Sequence, residues 1–586
     1  MEEESGRGGD AIVSYWHRRR VMVVSMMVSF FQIAKKQVDC SCRRLSGGKK
    51  YLWNLVSCYY RLSISRLDPL WILLLYFVSN SVAGFWALRI LGRERAAAGL
   101  TDLDLFFTSV SAATVSSMST VNIELLSNSQ LLAVALLMFL GGEVFNSLIQ
   151  LHLLKIKMDE STAGQKNEVE DKNKTATETE GNQMELEVVV MMPPNTTGDN
   201  DGGNGDKKTL GYTLLEMLHS SHAGENEINR RSLTLLTVMV LGLIILGHIF
   251  GFMTTLFYIS ISKPAGDVLA KKRIHKVFFA AFLTMSSFAN GGFIPIKEGM
   301  APFKTNSGLL LLLTPLLLAG STLFPTCLRS GLWVLKKMSR GRVPPELEYL
   351  TSDRCQNLNF YHLLPKRNSR CLLYTVTFFV STQIFLFSCL QWNSDLLLGM
   401  NTYQKMVSVL FQSINCRYAG ESIFNLANIS SAILVMYIAL IFLPPYTAFL
   451  PGEDVYLTSW RIKHGENDHR KELSVRKSLV MSHLSYIIMF VMVICITERP
   501  KLTKDPLNFN LLSIVTEVVS AYGNVGFTMG YDCRKKLDGG GDECEATWAG
   551  FVKEWSSLGK FVLILVMFFG RLKKFNMKGG RSWKIW

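Results

Sequence analysis

Four short stretches of the 586-residue chain carry residue types that could do chemistry on an ion. They are TVSSMSTV around Ser117, SSFANGGFIP around Gly292, NCRYAGES around Gly420 and SAYGNVGFTMG around Gly526. A dehydrated alkali cation needs oxygen ligands in place of its water, and backbone carbonyls turned toward an axis supply them without a fixed charge that would hold the ion too tightly. Glycine reaches the backbone angles this requires and leaves the axis open. One such glycine alone reads as a helix-packing or turn residue, as most membrane glycines are. Four small residues at matching positions read as one site, the filter of a cation pore. Ser117 departs from the pattern: its hydroxymethyl group should narrow the ring and add a ligand oxygen, so that sodium gains relative to potassium.

The elements that must position these loops follow from the hydropathy pattern. Each stretch follows a segment too short or too polar to span a bilayer, and each such pair lies between two long apolar runs, so the chain enters the membrane and turns back. A run of about 20 residues is enough to span at 1.5 Å per residue. In the first unit the runs are Leu67–Leu91 and Gln130–Lys155, with the re-entrant DLDLFFTSVSAAT between them. The second has Ser232–Ser262 and Ser307–Leu335, the third Cys371–Gln391 and Ser430–Leu450, and the fourth Lys477–Thr497 and Phe551–Phe575. Pro444 and Pro445 should kink or stop the sixth span. Non-helical backbone at membrane depth is tolerated only where it lines a cavity or is buried in protein, and the short helix before each loop points its negative end at that cavity, which favours a cation. The fold class is therefore an all-α membrane protein, four helix–pore loop–helix repeats with eight spanning helices around a central path.

The resulting division is a basic N-terminal region at 1–66, unit A at 67–157, a linker at 158–231, unit B at 232–337, a loop at 338–370, unit C at 371–450, a loop at 451–476, unit D at 477–575 and a tail at 576–586. The linker contains TETEGNQ and PPNTTGDNDGGNGDKK, with nothing to build a core, and reads as disordered. Asn173 and Asn195 match a glycosylation pattern, but the topology puts them inside. His219 and His222 lack further ligands for a metal. Val21–Ala34 reads as a helix on the inner membrane surface, with a cleaved signal as the alternative.

Composition fits this plan, with 48% hydrophobic residues and a mean hydropathy of +0.21. The net charge of +15 sits in short blocks beside apolar runs, which fits membrane orientation rather than nucleic acid. Blocks at Lys336, Lys337, Arg340 and Arg342, at Arg461, Lys463, Arg470 and Lys471, and at Lys573, Lys574, Lys578 and Arg581 fall on one side with the N-terminus. By the positive-inside rule that side is the cytoplasm, although Lys271, Lys272 and Arg273 lie on the other. Eleven cysteines show no paired CxxC. Cys533 and Cys544 fall outside, either bridged or as two free thiols.

FFTSVSAATVSSMSTV, MFLGGEVF, SSFANGGF, SAYGNVGFT and the closing FFGRLKKF resemble the plant high-affinity potassium transporters (HKT) of the Trk/Ktr/HKT group, over Leu67 to Phe575. The resemblance implies a filter at Ser117, Gly292, Gly420 and Gly526, with the serine-first pattern similar to the mainly sodium-carrying subfamily. It implies a homodimer with a pore in each subunit, a plasma-membrane location, and sodium retrieval and salt tolerance in a plant. It also implies a positive barrier at Lys560 and Arg571, which lie eleven residues apart, three helical turns or about 16 Å on one face. An outer-interface anchor for Lys560 and a snorkelling residue for Arg571 are the alternatives. Glu143 is either partner to such a cation or a polar cap on helix packing.

The chain departs from the family at NGGF, where NCGF is usual, at Lys297 and Gly299, where asparagines are common, and at Tyr418, where histidine is common. A lysine at the outer mouth could repel cations. The expected function is passive Na+ movement with no cofactor, no enzyme activity and no nucleic-acid partner. The alternatives are a Na+/K+ symporter or K+ transporter, then a non-conducting receptor or a membrane enzyme, for which no HExxH or GxSxG motif is present.

Overall fold

Helices dominate because the apolar runs bury or expose their whole circumference and must satisfy their backbone internally. The computed structural model describes residues 69–92, 101–159, 206–339, 343–451, 483–532, 550–576 and 582–585, with only the backbone path of 206–226. The expected N-terminal helix, most of the linker with its two asparagines, the 452–476 segment and both Cys533 and Cys544 lie outside the described residues.

Unit A is built from α1 (Pro69–Leu91), the pore helix α2 (Asp102–Thr114) and the pair α3 (Asn128–Gly141) and α4 (Glu143–Asp159). Unit B has α5 (Asp206–Ile261), the short α6 (Lys263–Lys271), the pore helix α7 (Lys276–Ala289), and α8 (Ser307–Ala319) followed by α9 (Phe324–Met338). A connector helix α10 (Pro345–Thr351) leads to unit C, with α11 (Lys366–Gln391), the pore helix α12 (Thr402–Asn415), α13 (Ser431–Phe442) and a strand β1 (Ala448–Pro451). Unit D has α14 (His483–Thr497), α15 (Arg499–Lys504), the pore helix α16 (Leu511–Gly523), α17 (Ser557–Asn576) and β2 (Ser582–Ile585).

All eight expected spanning positions carry a helix among the described residues. Three are long and apolar enough to cross a membrane alone, Leu70–Leu91, Glu227–Ile261 and Lys366–Gln391, and two bent pairs bring the number to five. The other three fall short for separate reasons. α13 has 12 residues, α14 is described from His483 onward, and α17 carries Lys560, Arg571, Lys573 and Lys574.

Several expected boundaries move. The first helix of unit B begins at Asp206, inside the stretch read as linker, where Lys, Leu and Glu favour helix and Glu227 pairs with Arg231 one turn on at 2.6 Å. Two expected straight spans are broken, α3 from α4 by 51° and α8 from α9 by 86°. The cause is close backbone approach: a side chain on Gly141 would strike Ala113 O, and one on Gly320 would strike Phe288 O, each in the last turn of its own unit's pore helix. Gly570 stands the same way against Tyr522 O in unit D. Unit C has proline instead, and α13 stops at Phe442 just before Pro444 and Pro445, well short of Leu450. The chain then forms β1, which pairs in parallel with β2, a four-residue addition to the all-helical expectation. α17 begins at Ser557 after a short 3-10 turn at Phe551–Glu554, later than expected.

The candidate ion pathway

Three of the four pore helices end on a left-handed residue, which asparagine favours and the β-branched Val115 does not. Val115, Asn290 and Asn524 cap α2, α7 and α16 in the left-handed conformation, at φ 57°, 57° and 50°. The following residue then donates its N–H five residues back: Ser116 to Ser111 O at 2.8 Å, Gly291 to Ser286 O at 2.7 Å, Val525 to Ser520 O at 3.1 Å. This is the Schellman pattern, which reverses the chain at once. Unit C reaches the same reversal one residue later, with Gly420 N–H donating to Asn415 O at 3.1 Å.

The reversal delivers the four expected residues to one ring. Ser117, Gly292, Gly420 and Gly526 all have positive φ, at 58°, 62°, 66° and 95°. A Cβ on Gly292 would strike Ala419 O and stand 2.5 Å from Ser117 Oγ; one on Gly420 would meet Val525 O and Gly526; one on Gly526 would strike Ser117. Neighbours therefore run A to B to C to D and back to A, and units B and D face each other across the axis. Ser117 Oγ donates to Gly291 O at 2.6 Å, so a side chain of one unit occupies a backbone oxygen of the next.

Polar side chains behind the ring hold its backbone. Ser111 Oγ accepts from Met118 N at 2.8 Å, and Ser520 Oγ from Gly526 N at 3.0 Å. Gln412 Oε1 accepts from Ile423 N at 2.9 Å. Glu517 Oε1 accepts from Met529 N at 2.9 Å and from the Thr528 hydroxyl at 2.7 Å. Buried carboxylate and amide groups need such partners, and here the partners are the loops themselves.

A cavity lies on either side of the ring. The one beyond the returning loops, about 110 Å³, is lined by the four ring residues together with Thr120, Asn122, Glu421, Lys297 and Lys553. Lys297 does not stand alone there. Its backbone N–H donates to Glu124 Oε1 at 3.0 Å, and Lys272 Nζ bridges Glu124 at 2.9 Å and Glu298 at 2.8 Å. Burial by itself would raise the Glu124 carboxyl, but the bonds from Lys272 and Lys297 and their charges outweigh it and hold it below the usual carboxylate range. Burial lowers Lys272, and its two carboxylates more than reverse that. The lysine that sequence reading treats as a repelling charge has a carboxylate beside it.

The second cavity, about 50 Å³, lies at the C-terminal ends of the pore helices. Val115, Asn290, Tyr418 and Asn524, each two residues before its ring residue, line it from the four units. The charged residues on its wall are Glu143, Arg417, Arg571, Lys573 and Lys574. Arg571 is 3% exposed and held inside the protein, with Nη2 donating to Gly141 O and the guanidinium 5.4 Å from the Phe77 ring centre. Glu143 Oε1 accepts from Tyr446 Oη at 2.9 Å, and the same Oη lies 2.7 Å from His362 Nδ1.

Lys560 lies elsewhere. It shares α17 with Arg571 but lines neither cavity. Its Nζ is 2.8 Å from Asp104 Oδ1 in the first turn of α2, with both side chains only 11–12% exposed. Asp104 was not singled out in the sequence, and neither were Asn290 and Asn524. The recurrence of asparagine two residues before a ring glycine, in ANGG and GNVG, was the available signal. Among the described residues there is no group of three or more His, Cys, Asp or Glu that could hold a metal.

Comparison with known proteins finds cation transporters among the chain's relatives. A family described as TrkH, cation transport protein, matches residues 211–577. The chain is 39% identical over 526 residues to the cation transporter HKT1;3 of Oryza sativa subsp. japonica, covering 89% of this chain and 92% of that one. It is 38% identical over 490 residues to the sodium transporter HKT1 of Arabidopsis thaliana, covering 83% and 89%. The potassium transporter TRK1 of Candida albicans matches at 26% over 320 residues, 52% of this chain and 29% of that one. The crystal structure of the potassium transporter TrkH from Vibrio parahaemolyticus aligns with a TM-score of 0.45 at 13% identity, over 87% of this chain and 84% of that one.

Proposed function

The chain belongs to the Trk/Ktr/HKT superfamily of cation transporters, with the plant HKT proteins among its relatives, and we propose that it carries Na+ passively through a ring formed by Ser117, Gly292, Gly420 and Gly526. It is a multi-pass membrane transporter rather than an enzyme. In this reading it lies in the plasma membrane with both termini in the cytoplasm, as the basic blocks at Lys336, Lys337, Lys573 and Lys574 favour. It assembles as a homodimer with one pore in each subunit. An inside-negative potential drives uptake without another energy source, since one charge crossing 100 mV gains about 2.3 kcal/mol.

The observation that carries the sodium assignment is the Ser117 hydroxyl. It donates to Gly291 O at 2.6 Å, so it takes up one of the carbonyls a larger potassium ion would need and places its own oxygen in a narrower ring. Sodium, smaller and harder, gains from the closer oxygen. The Glu124, Lys272 and Glu298 cluster supports the same reading, because it sets carboxylates beside the lysine at the outer mouth. Arg571 in the inner cavity wall then acts as a positive barrier in the permeation path. Lys560, paired with Asp104, contributes to that barrier only by positioning α17.

Two-electrode voltage clamp of oocytes expressing the chain, with external Na+ exchanged for K+ at constant ionic strength, tests this. The reversal potential should follow Na+ and ignore K+. A reversal potential that tracks both ions equally would overturn the sodium assignment in favour of a Na+/K+ symporter or K+ transporter. Absence of any cation current from protein at the surface would overturn the pore.

A further inference from the structure

The helix α9 presents a face that the ion pathway does not use. It leaves α8 at a bend of 86°. With the apolar α8 crossing the bilayer, α9 therefore runs close to the bilayer plane, and it carries Lys336 and Lys337 in its last turn, on the side that the basic blocks mark as cytoplasmic.

One side of α9 belongs to the protein. Phe324, Leu328 and Leu332 are buried, and Arg329 donates to the carbonyls of Leu364 at 2.9 Å and Leu350 at 3.1 Å. The hydroxyls of Ser369 and Thr326 bond at 3.2 Å, which ties the start of α9 to the start of α11. The other side is a stripe at helical spacing, Ser330, Trp333, Val334, Lys337 and Met338, all of them exposed. Trp333 is 60% exposed and Met338 72%, too much apolar surface for a helix that faces only water. A helix in the bilayer plane buries such a stripe at the boundary between headgroups and acyl chains, where tryptophan is at home.

The charges say which lipid fits. Lys337 Nζ lies 5.3 Å from the centre of the Trp333 ring, so the ring can sit in the acyl boundary while the ammonium reaches the headgroups. Lys336 beside it is exposed. Among the described residues neither lysine has an acidic partner, and Glu346 on the adjoining α10 lies 3.5 Å from Arg231 instead. Arg340 and Arg342 extend the basic run in the sequence. A zwitterionic headgroup brings no net counter-charge to this cluster, whereas an anionic one does.

On these grounds we infer that the exposed face of α9 binds an anionic phospholipid of the cytoplasmic leaflet, with Trp333, Val334 and Met338 at its acyl chains and Lys336 and Lys337 at its headgroup. The inference rests on the membrane reading of the fold and is independent of which ion the ring carries.

The test therefore needs no transport. The purified full chain is reconstituted into vesicles of phosphatidylcholine and phosphatidylserine in equal amounts, with one of the two carrying brominated chains, which quench tryptophan on contact. Subtracting the fluorescence of a Trp333→Phe variant isolates Trp333 from the other tryptophans. Brominated phosphatidylserine should quench it more than brominated phosphatidylcholine, by an amount that corresponds to a preference of about fivefold or more, since one lysine near an anionic surface contributes about that factor. Lys336→Gln with Lys337→Gln, made with and without Trp333→Phe, should bring the preference down to about one. Lys336→Arg with Lys337→Arg should keep it, which separates charge from any change in packing. Equal quenching of Trp333 by the two lipids in the parent, or a preference that survives the glutamine pair, would overturn the site. Trp333 quenched by neither lipid would also overturn it, and would give the face to protein, such as a second copy of this chain. The membrane reading would fail separately, if no tryptophan of the chain responded to either brominated lipid.

Discussion

Serine at φ 58° stands where the three sister loops keep glycine, and that single residue sets two things at once. A side chain in the left-handed region is unfavourable by about 1–2 kcal/mol, and its hydroxyl is bonded to Gly291 O. Ser117→Gly should relieve the first and undo the second, returning the Gly291 carbonyl to the ring. The expected outcome is a rise in potassium permeability relative to sodium, read as a shift in reversal potential when external Na+ is replaced by K+, with surface expression no lower than the parent's. An unchanged preference would show that the hydroxyl is not the discriminating group. The ring residues were legible in the sequence because their backbone conformation restricts them to glycine or a small exception. Their supports were less so. Lys560 and Asp104 stand 456 residues apart, and nothing local in either segment announces the other. Asn290 and Asn524 were visible only as a repeated spacing.

At the scale of elements, the pore helices are anchored by side chains from distant helices, and the Lys560–Asp104 pair is the clearest case. It ties the start of α17 to the start of α2, and Thr101 also donates to Asp104 Oδ2 at 2.6 Å. Removing one member of a mostly buried ion pair leaves the other charge uncompensated, a loss of about 3–5 kcal/mol. Lys560→Met and Asp104→Leu should each lower the thermal stability of the purified protein sharply, and the double variant should recover most of the loss. Additive losses in that double-mutant cycle would show that the two charges do not act as a unit, and would return Lys560 to the role of a barrier or an interface anchor. The type of the spanning and pore elements was legible from apolar length, though the helical start of α5 at Asp206 and the β1–β2 pair were not, and the double proline correctly marked the end of α13. The bends after α3 and α8 were not, because the pattern of a straight span and of a broken one is the same. What breaks them is the pore helix's last carbonyl lying against Gly141 or Gly320, a contact that exists only after the unit has closed.

At the scale of the whole molecule, the proposed conducting ring is the closure of four units on one another, and no unit owns it. Gly420 makes this testable, because a matched control lies 21 residues away in the same unit. Gly420 and Gly399 both have positive φ, at 66° and 77°. An alanine at either carries a similar local strain, about 1–2 kcal/mol. The surroundings differ: a Cβ on Gly399 would meet nothing within 4 Å, whereas one on Gly420 would meet Val525 O and the backbone of Gly526, in unit D. The fourfold plan was readable from sequence because each unit repeats it, yet the cyclic order of the units became visible only through such contacts between backbones that no periodicity encodes. Gly399→Ala should therefore keep its current, while Gly420→Ala, reaching the membrane equally well, should lose current for every alkali cation, because unit C can no longer close against unit D. Equal currents from the two variants would mean that the ring tolerates a gap, and that ions pass by a route the four loops do not jointly define.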